Sequence, residues 1–174
     1  MPDQISHICG ETALSLGAAS VAAELDELGA LSGVAQELNG PITTCEKLAA
    51  SFASANAAQQ HHLLLYRDES GRAVGFIKWG VKNNLYFYRK NGSMLQCSPV
   101  CLLDFFVHES QQRRGVGLLM FKAMLLDLGG PEPCSLAYDR PSPKLLAFMR
   151  KHYGLAQPDL QPNRFALFEG FFTT

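Results

Sequence analysis

The first 60 residues of the chain carry the apolar spacing of helices. Between residues 14 and 38, hydrophobic side chains return every three or four positions, which is the period of an amphipathic helix. An Asn-Gly-Pro sequence at 39–41 is a strong stop signal. Either Thr43 or Thr44 can then cap a second short helix. The small-residue stretch at 53–60 is predicted to be a helix end or a loop.

Strand patterns begin after this helical region. Short apolar runs at 62–66, 74–81 and 85–88 are separated by polar turns, which is typical of antiparallel hairpins. A polar segment at 89–99, which contains an Asn-Gly pair, is predicted to be a loop. The segment 100–108 is the most strand-like of the chain. The middle of the sequence therefore predicts a meander of β-strands.

The last third of the chain alternates helices with strands. A first helix is expected to end at a Gly-Gly-Pro sequence. Its predicted apolar face consists of Leu118, Phe121, Leu125 and Leu128, with Met124 beside it. A short strand follows at 135–138, Ser142 caps a further helix, and 165–172 is predicted to be a last strand. This order predicts an α/β fold, an α+β mixed sheet with helices on its faces, in one domain over 1–174.

Composition and charge argue against several classes of partner. Acidic and basic residues number 16 and 15, and the net charge of −1 offers no basic surplus for nucleic acid or anionic membranes. No apolar run reaches the roughly 18 residues that a bilayer span needs. The first six residues have no basic cluster and are not expected to form a signal peptide. We therefore expect a cytoplasmic protein with no nucleic-acid or membrane partner.

The five cysteines are predicted to be free thiols. Their number is odd and they form no CxxC pair, which argues against a disulfide framework. Cys97 and Cys101 are four positions apart, and on one strand their Cβ atoms would lie ~13 Å apart, too far for one zinc ion. No metal site is predicted.

The segment 104–117 carries the most informative pattern. A strand is followed by a basic turn with glycines and then by an amphipathic helix. Unpaired amides and the dipole at a helix N-terminus attract anions, and Gly115 and Gly117 allow close approach of a ligand. Arg113 and Arg114 add positive charge. The Q-x-x-G-x-G spacing fits neither the Walker nor the Rossmann pattern. It resembles the pyrophosphate-binding turn of the GNAT acetyltransferase superfamily, with a plain surface turn as the alternative.

A series of longer blocks resembles one family within that superfamily. The blocks are CLLDFFVHES at 101–110, LAYDRPS at 136–142, KLL at 144–146, KHY at 151–153, FEGFF at 168–172, DELG at 26–29, PIT at 41–43 and GFIK at 75–78. Taken in their order along the chain, these blocks resemble the α-tubulin N-acetyltransferase family. The resemblance implies a GNAT fold and a lysine N-acetyltransferase that uses acetyl-CoA as its co-substrate. It also implies that the partner is α-tubulin in microtubules.

The resemblance also implies which residues bind acetyl-CoA. The pantetheine arm would lie along the strand backbone of Phe105, Phe106 and Val107. The pyrophosphate would be cradled by Gln112, Arg113, Arg114, Gly115, Val116, Gly117 and Leu118. The cofactor wall would be completed by Ser142, Lys144, Phe148 and Lys151. The two lysines are seven positions apart and therefore share a helix face.

Three residues are implied to be catalytic. A lysine ammonium, with a pKa of about 10.4, must lose a proton before it attacks a thioester, and a carboxylate is a suitable acceptor. Asp139 is predicted to be this base or to orient the lysine. Cys101 is predicted to polarise a group or relay a proton, and Gln36 to orient water or the incoming lysine. Direct transfer is favoured over an acetyl-cysteine intermediate. Asp104 is expected to shape the substrate surface, and His108 to pack or cap.

Two other functions stay open from the sequence. Residues 86–100 show no close resemblance to the family, and Arg89 and Lys90 make this segment less acidic than expected. The chain is therefore also compatible with a GNAT enzyme that acetylates another protein lysine or a small amine. A non-catalytic microtubule-binding module is the third reading, although it would not need Asp139, Cys101 or Gln36.

Overall fold

The computed structural model describes residues 4–8, 19–53 and 60–173. Nine strands run through this part of the chain: β1 (Ile5–Ile8), β2 (His61–Arg67), β3 (Ala73–Val81), β4 (Leu85–Tyr88), β5 (Met94–Cys97), β6 (Val100–Val107), β7 (Ala137–Asp139), β8 (Asp159–Leu160) and β9 (Phe165–Leu167). Its four α-helices are α1 (Ala19–Ala35), α2 (Cys45–Ala53), α3 (Val116–Asp127) and α4 (Pro143–Tyr153). The predicted mixed α/β fold is confirmed.

The strands form a seven-stranded sheet and a separate hairpin. The order in the large sheet is β1-β2-β3-β6-β7-β9-β8, and β4 pairs with β5 in the hairpin. Among the described strands, only the pair β6–β7 is parallel, and it is short, since it joins Cys101 to Ala137 and Leu102 to Tyr138. Beyond Leu102 the two strands diverge, while β6 stays paired with β3 on its other side up to Val107. This fork leaves one edge of β6 without a strand partner among the described residues.

Two layers of helices cover the large sheet. Side chains of a strand point alternately to its two faces, so β2 contributes Leu63 and Leu65 to one core and Leu64 and Tyr66 to the other. The first core packs beneath α1 and α2, and the second packs beneath α3 and α4. A third cluster, with Phe87 at its centre, joins the hairpin to β9. The helix α3 and the fork of β6 are therefore fixed on a well-packed base.

Local signals in the sequence predicted several element ends. Thr44 caps α2, since its Oγ1 accepts a hydrogen bond of 3.1 Å from the amide of Lys47. Ser142 caps α4 in the same way, 3.2 Å from the amide of Leu145. His108 caps a short 3-10 turn by accepting from the amide of Ser110. These predicted caps are confirmed, and α3 also ends as expected at the Gly-Gly sequence.

Several predicted elements are wrong. The first 60 residues are not only helical, because β1 forms a strand there, and the supposed loop at 89–99 contains β5. Both strands have four residues. Each is recognised by its pairing with a neighbouring strand, β1 with β2 and β5 with β4. The last strand ends at Leu167, and 171–173 form a 3-10 helix. Cys97 and Cys101 lie on different strands. The predictions for 14–18 and 54–59 fall outside the described residues.

The buried face of α3 also differs from the prediction. The helix buries Val116, Met120, Phe121, Ala123 and Met124, whereas Leu118, Leu125 and Leu128 are only partly buried. Its sequence is apolar on nearly every side, so spacing alone does not select a face. Within the described residues, no helix combines the length and apolar character that a membrane crossing requires.

Candidate active site

The turn between β6 and α3 presents free backbone amides. Gly115 is the N-cap of α3, with φ 85°, and no side chain caps the helix start. Since Leu119 makes the first hydrogen bond of the helix, to the carbonyl of Gly115, the amides that precede it have no partner within α3. Arg113 is also left-handed, with φ 62°, and Gln112 holds the turn by donating to the carbonyl of Val107 at 2.8 Å. A left-handed non-glycine residue costs free energy and is enriched at functional sites.

A cavity of about 650 Å³ opens beside this turn. It runs along the free edge of β6 and is closed on the other side by α4. Its lining includes Phe105, Phe106, Val107, Gln112, Arg113, Gly115, Gly117, Leu118, Ser142, Lys144, Phe148 and Lys151. The structure therefore brings the predicted cofactor residues together, with two exceptions. Val116 is buried in the core, and Arg114 is exposed but does not line the cavity.

The cavity combines cations with an aromatic floor. Arg113, Lys144 and Lys151 supply positive charge close to the helix start. Phe105 and Phe148 meet edge to face, with ring centroids 5.8 Å apart. A Cβ atom at Gly117 would lie 3.5 Å from the ring of Phe105 and 3.8 Å from that of Phe148, so glycine keeps this floor open. The arrangement can bind a phosphorylated ligand that also has an apolar part.

Gln36 lines the same cavity and is held by a buried polar network. Its Nε2 donates to Ser32 Oγ at 2.8 Å and to Asp104 Oδ1 at 3.0 Å. Asp104 also accepts from Ser32 at 3.0 Å and from Thr43 at 2.6 Å. Its side chain is therefore enclosed and does not shape the substrate surface, which corrects the expectation from the sequence. The network fixes the orientation of the Gln36 amide.

A buried lysine lies beside this network. Lys78 is 5% exposed, and its Nζ donates to the carbonyl of Ile42 at 2.9 Å. Burial lowers the pKa of Lys78 to about 8, although the charge of Asp104 acts in the opposite direction. The loop that carries Ile42 and Thr43 is thus fastened to β3 and β6 together.

Asp139 and Cys101 lie together where β6 and β7 begin to diverge. They are absent from the lining of the cavity. The Asp139 carboxylate is 9% exposed and pairs with Lys82 Nζ at 3.4 Å and Arg140 Nε at 3.0 Å. The register places Asp139 one residue beyond the last β6–β7 pair, about 7 Å along β6 from the cavity-lining Phe105. A ligand that runs from the cavity into the fork would therefore reach this carboxylate.

Cys101 is enclosed at the base of the fork. Its side chain is fully buried, and its Sγ donates to the carbonyl of Pro99 at 3.5 Å. Burial raises the pKa of the Cys101 thiol to about 12. Since the thiolate is the nucleophilic form, this environment disfavours covalent chemistry at Cys101.

Reasoning from the sequence missed several residues of the site. The ion pair of Lys82 with Asp139 spans 57 positions, so no local pattern indicates it. The same holds for Ser32 and its contact with Asp104, which spans 72 positions. His152, which also lines the cavity, lies eight positions after Lys144 and could have been found from helical spacing.

Comparisons with known proteins identify the family of the chain. Residues 7–174 match the family model described as GNAT acetyltransferase, Mec-17. The chain is 45% identical over 138 residues to an "Alpha-tubulin N-acetyltransferase" of Phytophthora infestans, covering 79% of this chain and 75% of that protein. It is 43% identical over 153 residues to "Alpha-tubulin N-acetyltransferase 1" of Danio rerio, covering 85% of this chain and 48% of that relative. The chain thus spans three quarters of the first relative and about half of the second.

A solved structure shares the fold. The xEco2 acetyltransferase domain bound to a CoA conjugate superposes with a TM-score of 0.56 over 95% of this chain and 91% of that chain. The sequences are 11% identical, so this similarity shows the fold alone. The match to the family model covers almost the whole length of the chain. The chain therefore belongs to the Mec-17 family of GNAT acetyltransferases.

Proposed function

We propose that this protein transfers the acetyl group of acetyl-CoA directly to a lysine amine of α-tubulin. The observation that carries the proposal is a basic cavity at an uncapped helix start, on the free edge of β6. The register of β7 sets the carboxylate of Asp139 about 7 Å further along β6 from the cavity-lining Phe105. Relatives named α-tubulin N-acetyltransferase support the choice of α-tubulin.

The cavity offers complementary groups for the pyrophosphate and the pantetheine arm of acetyl-CoA. The amides at the start of α3, together with Arg113, Lys144 and Lys151, would bind the pyrophosphate. The free edge of β6 at 105–107 would pair with the amide groups of the pantetheine arm, as an added strand pairs with a sheet edge. The thioester would then lie in the fork near Asp139.

The chemistry requires a proton acceptor and a stabilised oxygen. Acetyl-CoA supplies an acetyl group activated as a thioester, and the lysine amine forms the new C–N bond as the C–S bond breaks. Asp139 would accept the proton of the lysine ammonium or orient the amine. A backbone N–H at the free edge of β6 would stabilise the negative charge that develops on the carbonyl oxygen. The protonated Cys101 would not act as an acyl carrier.

The β4–β5 hairpin offers a docking face for a protein substrate. Tyr86, Tyr88 and Met94 are 47%, 47% and 54% exposed on one face, while Phe87 is buried on the other. Gln161 holds the hairpin through two hydrogen bonds to the backbone of Tyr88, at 2.8 and 3.2 Å. Exposed aromatic and methionine side chains on a rigid support are typical of protein interfaces. We expect the microtubule, the proposed cytoplasmic partner, to dock on this face.

The test is an acetylation assay with purified protein and acetyl-CoA. We expect mass spectrometry to find acetyl-lysine on α-tubulin, with microtubules and free tubulin dimers assayed in parallel. We expect Asp139→Asn to lower kcat by roughly 10²- to 10⁴-fold, because the proton acceptor is lost. The affinity for acetyl-CoA should not change, since Asp139 does not line the cavity.

Exposed Glu69→Gln is the matched control, and it should retain full activity. Turnover on a polyamine or another protein, with no acetylation of α-tubulin, would favour the small-amine or other-lysine alternative. The non-catalytic binding module would be favoured by microtubule co-sedimentation without any acetyl transfer. In that case Asp139→Asn and the wild type should co-sediment equally.

A further inference from the structure

A cluster of two histidines and one aspartate lies outside the acetyl-CoA cavity. His7 is on β1, His62 is on β2 and Asp127 is the last residue of α3. Each offers one ligand atom, and the three atoms lie within 4.8 Å of one another. His7 Nδ1 is 3.3 Å from Asp127 Oδ1. Three separate elements therefore converge on one point.

The strand register brings the two imidazoles together. His7 pairs with Leu64, so His62, two positions before Leu64, is its diagonal neighbour on the same face of the sheet. His62 lies opposite Trp79 on β3, and the Trp79 ring stacks on both imidazoles with centroid distances of 5.6 Å. Since Trp79 is buried, it forms a rigid apolar wall behind the histidines.

An ion pair between His7 and Asp127 does not account for the whole cluster. It leaves His7 Nε2 and His62 Nδ1 buried with no hydrogen-bond partner in the part of the chain that the structure describes. Buried polar atoms without partners cost free energy and are uncommon in folded proteins. The His62 ring therefore has a buried nitrogen that no described residue satisfies, beside the contact between His7 and Asp127.

We propose that His7, His62 and Asp127 bind a divalent transition-metal ion of the zinc type, with water completing the coordination. Tetrahedral ligands at roughly 2.0–2.1 Å from zinc lie about 3.3 Å apart, which is the separation of His7 Nδ1 and Asp127 Oδ1. A shift of the third ligand atom by about 1.5 Å or less would complete the set. Two imidazoles favour zinc-like ions over Mg²⁺ and Ca²⁺, which prefer oxygen ligands.

The site is structural and separate from catalysis. Asp127 is at the end of α3 opposite the pyrophosphate turn, about 16 Å away along the helix axis. A bound ion would fasten the N-terminal strand to β2 and to α3. This inference does not rest on the proposed acetyltransferase function, because no residue is shared between the two sites.

The experiment titrates ZnCl2 into full-length protein that has been treated with a chelator and dialysed. We expect calorimetry to find one equivalent bound, and Tm to rise by roughly 5–10 °C at a hundredfold excess over Kd. MgCl2 should produce no comparable rise. Asp127→Asn and His7→Gln should each weaken zinc binding at least tenfold, whereas the exposed Glu132→Gln should not.

Co²⁺ provides a second readout of the ligands. Visible d–d bands of a tetrahedral ion without thiolate charge-transfer bands would support a site of nitrogen and oxygen ligands. Absence of zinc binding, or equal binding by wild type and Asp127→Asn, would overturn the proposal. The Asp127→Asn change lies at a helix end, so it keeps the test valid even if His7→Gln fails to fold. The affinity for acetyl-CoA should be the same before and after chelation, which separates this result from the proposed function.

Discussion

The reactivity of Cys101 is decided by its surroundings. Its side chain is fully buried, and burial raises the pKa of the thiol to about 12. The thiol is therefore protonated at pH 7. Cys101 lies beside Asp139 and Lys82, so it packs the base of the fork and contributes a weak S–H dipole there. It is poorly suited to carry an acetyl group.

This environment leads to a prediction about covalent intermediates. Protein incubated with acetyl-CoA in the absence of tubulin should show no acetyl group on Cys101 when its peptides are analysed by mass spectrometry. Alkylation by iodoacetamide at pH 8 should be much slower at Cys101 than at Cys45 and Cys97, which are partly exposed. Stoichiometric acetylation of Cys101 before tubulin is added would contradict direct transfer.

At the scale of elements, α3 has a left-handed glycine at each end. Gly115 precedes the helix with φ 85°, and Gly129 follows it with φ 84°. A Cβ atom at either glycine would meet no other atom within 4 Å. The two positions therefore differ mainly in their surroundings, because of the two only Gly115 lines the cavity that we propose for acetyl-CoA.

The two glycines form a matched pair of mutations. Each change to alanine should lower the free energy of unfolding by about 1–2 kcal/mol, because alanine resists the left-handed conformation. Gly115→Ala should also weaken acetyl-CoA binding at least tenfold. The change would displace the amides that would hold the pyrophosphate, and it would place a methyl group at the lining of the cavity. Gly129→Ala should leave this Kd unchanged. Urea unfolding and calorimetry measure the two effects, and equal Kd values for both variants would contradict the assigned turn.

At the scale of the whole molecule, a buried polar network joins elements that are distant in sequence. Asp104 on β6 accepts hydrogen bonds from α1 and from the loop before α2, and Lys78 on β3 donates to the same loop. Buried hydrogen-bonded groups of this kind specify one arrangement of the elements around them. The position of Gln36 in the cavity therefore depends on the packing of α1 and of the loop before α2 against the sheet.

Lys78 should make stability depend on pH. Its pKa is about 8 in the folded protein, below the ordinary value of 10.5, because burial disfavours the charged form. Between these values the unfolded chain binds a proton that the folded chain does not, so this contribution to stability rises as pH increases. From pH 7 to pH 9, the free energy of unfolding of the wild type should rise by about 1 kcal/mol relative to Lys78→Met.

Urea unfolding at the two pH values checks this prediction. The exposed Lys122→Met is the control, and it should follow the wild type. Measurements should stop at pH 9, because Cys101 has its pKa raised to about 12 and would act in the opposite direction at higher pH. An identical pH response of Lys78→Met and the wild type would contradict a buried, partly deprotonated lysine.

Much of the fold could be predicted because its signals are local. Thr44 and Ser142 cap helices through side chains that reach amides three residues away, and glycines follow α3. Most strands of the middle region follow from apolar runs between turns. The segments 101–118 and 136–152, which resemble the family, also contain predicted cofactor residues that line one cavity. Each of these features depends on neighbours in sequence, so a short segment contains the necessary information.

Tertiary structure alone decided the features that depend on distant partners. The strand β1 is four residues long and is defined by its pairing with β2, and α3 is too apolar for its spacing to select the buried face. Lys82 beside Asp139, and the meeting of His7 with Asp127, have no local signature. By itself the sequence determined the family, the helix caps and the position of the glycine turn before α3. Packing decided which polar groups meet, because strand pairing and burial bring together atoms that the chain keeps far apart.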